Sequence, residues 1–131
     1  MNVLVAHNKG ENPSRIQHVI DWLQTQLSDA HIVTGEQDWA ARFAQAGGWT
    51  AWAQDVGAGV DVSGRPRYEL IVVPSMIIGR ATMQIVNAAL GAGKLVVFHN
   101  PADDDVTPVV RVEPVDTDSW KAGWRLVLPP L

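Results

Sequence analysis

A repeated alternation limits what this chain can fold into. Three short, wholly apolar runs, Val3 to Ala6, Leu70 to Pro74 and Leu95 to Phe98, each end abruptly in polar residues, and stretches of helical spacing lie between them. A strand with one wet face alternates apolar and polar side chains. A strand that is apolar throughout needs cover on both faces. Strands of that kind, interleaved with helices, define an α/β fold around a mainly parallel sheet.

The punctuation between the runs supports this reading. Asn12-Pro13 reads as an N-cap followed by proline at the first helical position. Ile16, Val19, Ile20, Leu23 and Leu27 then share one face, which predicts a helix over 13–28. Ala30 to Thr34 predicts a second strand, ended by Gly35. Glu36 to Ala46 predicts a helix with Trp39, Phe43 and Ala46 on one side, and Gly47-Gly48 stops it. Trp49 to Val56 reads as a further short helix, and Gly57 to Pro66 as a loop. Ala81 to Ala92 is the next helix, with Gly93 suited to its C-cap. Beyond His99-Asn100-Pro101 and the acidic loop Asp103 to Asp105, Val109 to Val115 and Trp124 to Leu128 alternate more. They predict an antiparallel pair or two late strands. The expected architecture is one domain over 1–131. It has a single open, mainly parallel sheet in a three-layer arrangement of flavodoxin-like or Rossmann-like type, with a C-terminal strand pair.

Composition narrows the partners. The 131 residues suffice for one domain burying roughly two-thirds of its unfolded surface. Net charge is −4 and basic residues form no block, so a nucleic-acid backbone is not an expected partner. Cysteine is absent, which excludes disulfides and thiolate metal sites. No apolar run nears the ~18 residues of a membrane span, and MNVLVAHN lacks the charged region that opens a signal peptide. A cytosolic protein without a membrane partner is expected. The six tryptophans fill core margins in the simplest view. Trp49 or Trp52, in a Gly-flanked stretch, offers a stacking wall for a base.

In an open parallel sheet, ligands bind beyond the carboxyl ends of the strands, where strand order reverses. For a 2-1-3-4-5 order that crevice lies between the first and third strands, bounded here by His7 to Ser14 and Ser75 to Thr82. Gly79 and Arg80 open a helix whose free N–H groups attract anions. Gly79 admits close backbone approach, and Arg80 offers a fork of donors to phosphate or carboxylate. Thr82 either caps the helix or binds a ligand oxygen. Ser75 turns the chain or joins the site. His7 and His99 are each the first polar residue past a strand, and the His-Asn dipeptide recurs at 7–8 and 99–100. Asn8, Lys9 and Asn100 share those tips and are candidate ligand contacts. His18 and His31 read as surface residues. Four scattered histidines show no metal spacing, so neither a metal nor a cofactor is expected. There is no G-x-G-x-x-G and no Walker A pattern.

The segment YELIVVPSMIIGRATMQIVNAALGAGKLVVF, Tyr68 to Phe98, resembles the nucleoside 2-deoxyribosyltransferases and the related SLOG proteins, which bind nucleotides or nucleotide-derived ligands. In these families an apolar strand passes through a Gly-containing turn into a helix that ends in Gly-Lys before the next strand. The Trp-rich middle, Gly35 to Arg67, resembles that of uncharacterised phage-encoded proteins. The resemblance implies a nucleotide or nucleoside ligand at the sheet edge, and N-glycosidic hydrolysis or transfer. The family's nucleophilic glutamate, in a Gly-Thr-x-x-Glu arrangement, is missing. Ile85 stands three past Thr82, and no carboxylate lies between Glu69 and Asp103. Gln84 cannot replace it as a nucleophile. Asp55, behind Trp49 and Trp52, is the alternative catalytic candidate, as a partly desolvated general acid. Glu11, Asp38 and Asp103 to Asp105 are further carboxylates. Two versions follow: a small nucleotide- or nucleoside-binding enzyme, or a non-catalytic binding or protein-interaction module. A homo-oligomer is expected, with the last strand pair as an edge for a dimer.

Overall fold

Asn12 starts the first helix as its position in the sequence predicts. Its side-chain oxygen accepts the Ser14 N–H at 2.9 Å, and Pro13 takes the first helical position, where no donor is needed. In the computed structural model, which describes residues 2–8, 11–27, 31–34, 51–53, 69–115 and 123–130, the elements run in chain order. They are β1 (Asn2–Val5), α1 (Pro13–Gln26), β2 (His31–Thr34), β3 (Ala51–Ala53), β4 (Leu70–Val73), β5 (Ile77–Ile78), α2 (Arg80–Gly91), β6 (Leu95–His99), β7 (Val106–Pro108), β8 (Arg111–Pro114) and β9 (Trp124–Val127).

The main sheet has the order β3-β2-β1-β4-β6-β7. Its first five strands are parallel, and β7 runs antiparallel to β6. Strand order therefore reverses between β1 and β4. Leaving β1, the chain goes to β2 on one side; after β4 it goes to β6 on the other. A second, three-stranded antiparallel sheet has the order β5-β9-β8.

Period-two alternation assigns the two faces of the main sheet. Val3 and Val5 of β1, Val72 of β4 and Val97 of β6 pack against Ile16, Val19, Ile20 and Leu23 of α1. Leu4, Ile71, Val73 and Val96 point the other way, against Val86 and Ala89 of α2, Ile78 and Leu126. The wholly apolar runs are thus explained, because each strand is covered on both sides. Leu126, held by its N–H to Met76 O at 3.0 Å, seats the small sheet on the α2 side. α2 ends as its glycine predicts. Gly93 takes φ 73°, a left-handed conformation open to glycine at little cost.

The α/β class, the mainly parallel sheet and the C-terminal antiparallel pair agree with the sequence. Three local readings need correction. Ala51–Ala53 is a strand on β2, where Trp49 to Val56 predicts a helix. The span is a few residues long, and sheet pairing overrides a weak helical spacing. The seam before Gly79 contains β5, too short for any periodicity. β7 was not read from the acidic loop and its flank. The predicted helix over 36–46 and the loop over 57–66 lie outside the described residues. Among the described residues, no helix is long and apolar enough to cross a membrane.

Ile20 is fully buried, whereas Leu95 is 53% exposed. Ile20→Ala should therefore cost about 3 kcal/mol of stability, and Leu95→Ala under about 0.5 kcal/mol, read as urea midpoints at constant m-value.

Candidate functional site

The two strand tips on either side of the reversal meet. Asn8 reaches across with both ends of its carboxamide. Its Nδ2 donates to Ile77 O at 3.0 Å, and its Oδ1 accepts the Gly79 N–H at 2.9 Å. Thr82 Oγ1 donates to His7 O at 3.3 Å, and Ser75 Oγ donates to Glu11 Oε1 at 2.7 Å. The crevice expected between these tips is therefore bridged by the protein's own side chains. Asn8, Ser75 and Thr82 are spent on joining loops. His7 Nδ1 faces Asn8 O at 2.9 Å, and a carbonyl only accepts, so Nδ1 carries the proton. Its Nε2 is then a buried acceptor with no partner among the described residues.

The start of α2 is different. Gly79 is its N-cap and supplies no side-chain cap, so the first-turn N–H groups of Arg80, Ala81 and Thr82 lack the usual side-chain acceptor. Gly79 has φ −81° and ψ 177°, which any residue adopts. A Cβ built there would meet only Asn8 Oδ1, at 3.9 Å. Neither backbone nor packing demands glycine, so its effect is to leave the helix start uncovered. Arg80 is exposed beside it.

A second cluster lies on the α1 face. His99 ends β6 with the same orientation as Val97 and is fully buried. Arg15 donates from Nε to Pro74 O at 3.1 Å, from one terminal nitrogen to His99 Nδ1 at 3.0 Å, and from the other to His99 O. A guanidinium can only donate. Nδ1 of His99 must therefore hold a lone pair, and the neutral ring carries its proton on Nε2. That proton faces Asp104 Oδ1 at 3.0 Å, and His18 Nε2 meets the same oxygen at 2.6 Å. The rings of Trp22 and His18 pack at 4.8 Å and 5.5 Å from that of His99.

Burial first, and the Arg15 charge second, push the His99 imidazole below its ordinary value, in keeping with a neutral ring. Burial likewise pushes the Arg15 guanidinium down, against the pull of Glu11 and Asp104. The hydrogen bond from His18, with His99 adding, holds the Asp104 carboxyl below its ordinary range.

His18, His99 and Asp104 place three donor atoms within 4.8 Å of one another, a set of types that divalent transition ions accept. Arg15 works against that use. Metal on Nε2 of His99 would require the ring proton on Nδ1, where it would face a guanidinium nitrogen at 3.0 Å. Metal-binding imidazoles keep an acceptor at their other nitrogen. The cluster fits a proton-bearing chain, Arg15 to His99 to Asp104 to His18, better than a metal centre.

Of the sequence candidates, His7, Asn8, Ser75, Gly79 and Thr82 come together at the tips, with Arg80 at their rim. His99 belongs to the other cluster. Asn100 serves its own turn, accepting the Ala102 N–H at 3.0 Å. Lys9 and Asp55 lie outside the described residues. Arg15 was missed, Asp104 was singled out only as one of the carboxylates Asp103 to Asp105, and His18 is exposed as expected but bonded to Asp104. Arg15, His18 and Trp22 form a stripe at i, i+3 and i+7 beside the apolar face, a signal that was present in the sequence. Comparison with family models, curated proteins and solved structures finds no match for this chain.

The lowered pKa of His99 sets a pH dependence. The unfolded chain takes up a proton near the ordinary value of 6.5, before the folded ring does. The ring's contribution is thus complete above that value and declines as pH falls below it. Wild type should lose more stability than His99→Gln between about pH 8 and about pH 5 in urea titrations. Parallel losses would count against the neutral tautomer.

Proposed function

We propose that the chain binds a nucleotide- or nucleoside-like molecule at the carboxyl edge of the parallel strands, with the anionic part over the start of α2. The observation that carries this is the uncapped first turn of α2 behind Gly79, on the flank of the strand-order reversal. Arg80 adds a fork of donors at the rim. The unpartnered Nε2 of His7 supports a ligand hydroxyl in the same region, since a buried acceptor left unpaired costs about 1–3 kcal/mol. The anion sits over the helix and not between the tips, where Asn8 and Glu11 already bridge the loops. Within this reading the sheet is of the doubly wound, Rossmann-like kind, its strands lying in the order 3-2-1-4-5-6 and not the 2-1-3-4-5 of a flavodoxin-like sheet, and β8, the outer strand of the small sheet, is the edge through which two copies pair. The missing glutamate favours a binding module over a deoxyribosyl transferase. The carboxylate-free stretch from Leu70 to Ala102 covers the whole of α2.

A thermal-shift panel of nucleotides, nucleosides and ADP-ribose tests the reading. A ligand at a hundred times its Kd should stabilise the fold by about 2.7 kcal/mol, and no shift with any compound sinks the proposal. Arg80→Ala should weaken a phosphorylated ligand at least tenfold without changing the melting temperature of the free protein. Gly79→Ala separates space from stability. Loss of chain entropy and loss of a tolerated N-cap oppose each other, so stability should move by less than about 0.5 kcal/mol. Affinity should fall.

A further inference from the structure

We propose that His18 is the general base of a small hydrolytic site on the α1 face, acting on neutral carbonyl substrates such as small esters, with Asp104 and His99 as its positioning residues. Asp104 is an acceptor, so His18 Nε2, 2.6 Å away, is the protonated nitrogen. The lone pair of His18 is then on Nδ1, on the other edge of a ring whose side chain is 43% exposed. That ring lines an open hollow of about 410 Å³ with Pro13, Ser14, Gln17 and Asp21. His18 therefore has what a general base needs, a lone pair on Nδ1 of a part-exposed ring and a carboxylate at the opposite nitrogen to hold the tautomer.

The backing is deeper than a surface ion pair requires. Asp104 is itself held by a fully buried His99, whose tautomer is set by Arg15. Its loop is closed on itself through Asp104 N to Asn100 O, Asn100 N to Asp105 O and Asp105 N to Asp103 Oδ1. Asp104 adopts φ 58°, a left-handed conformation that aspartate tolerates better than most non-glycine residues.

The charges at the hollow choose the substrate. Asp21 lines it and Asp104 stands behind His18, while the guanidinium of Arg15 is turned inward to Pro74 and His99. Among the described lining residues no cation can neutralise a phosphate, so a neutral electrophile fits. In the step, a water oxygen adds to the acyl carbon and its proton passes to His18 Nδ1. The acyl–oxygen bond then breaks, and the imidazolium returns the proton to the leaving oxygen, giving a carboxylic acid and an alcohol. This hollow is on the opposite sheet face from α2, so its test is independent of nucleotide binding.

The probe is p-nitrophenyl acetate. Wild type should hydrolyse it faster than free imidazole at equal concentration, and His18→Gln should lose roughly 100-fold of the protein-dependent rate. Asp104→Asn should lower kcat about tenfold with KM unchanged, while circular dichroism stays that of wild type. Long-range proton–nitrogen NMR supplies the readout that a merely structural role would leave alone. Both His18 and His99 should report the Nε2-protonated tautomer, and Asp104→Asn should return His18 to a mixture. A wild-type rate no greater than that of imidazole, an unchanged rate in His18→Gln, or an Nδ1-protonated His18 in wild type would each overturn the proposal.

Discussion

The guanidinium of Arg15 is the contact on which the ordered edge of this molecule depends. It donates to the carbonyls of Pro74 and His99, which lie at the ends of the neighbouring strands β4 and β6, and to the ring of His99. Strand ends are where backbone acceptors run out of ladder partners, and a buried one must be paired. A charge taken out of water is tolerated only when its hydrogen bonds are met. One side chain from α1 answers both demands. Apolar packing of Ile16, Val19, Ile20 and Leu23 would by itself let the helix slide on the sheet. Three directed donors set its register. The same contact removes any freedom of tautomer from His99, and the protonation of Asp104 and His18 follows from it in sequence.

The two faces of the sheet carry different chemistry at the same edge. Right-handed crossovers bring the start of each helix to the carboxyl ends of the strands. The start of α1 is closed by Asn12, whose side chain takes the Ser14 N–H. The start of α2 is left open by Gly79. Arg80 is exposed at the open start, while the hollow on α1 has Asp21 on its wall. The α2 side thus carries unpaired helix N–H groups beside a positive charge, and the α1 side a carboxylate-backed pair of imidazoles.

Much of the scaffold was legible in the sequence, because its signals are local. Three apolar runs gave β1, β4 and β6, and Asn12-Pro13 and Gly93 marked helix ends at their observed places. The two-residue β5 and three-residue β7 are too short to carry a period; β5 exists through β9, far along the chain, and β7 by folding back on β6 across the acidic loop. The site was legible only in part, for the same reason. His7, Asn8, Gly79 and Thr82 were found through the rule that loops gather at a strand-order reversal. What each does there, spent or open, depends on contacts about seventy residues apart, such as Asn8 to Gly79. His18 and Asp104 are separated by 86 residues. Nothing near either in the chain points to the other, although the stripe Arg15, His18, Trp22 marks a polar strip on the packed helix.

Asp104 shows how backbone and side chain can disagree at one position. A left-handed φ favours glycine, and for other residues it costs on the order of 1 kcal/mol. Aspartate is among the few that tolerate it, because its short polar side chain finds nearby partners. Here that side chain does not turn back to its own loop. Asn100 and Asp103 perform that service, and the carboxylate of Asp104 reaches to two imidazoles instead. Glycine would relieve the backbone and leave the loop's own hydrogen bonds intact. It would also leave His99 with a buried, unanswered N–H. The carboxylate, and not the turn, is what the position requires, and the strain is offset by the two bonds it makes.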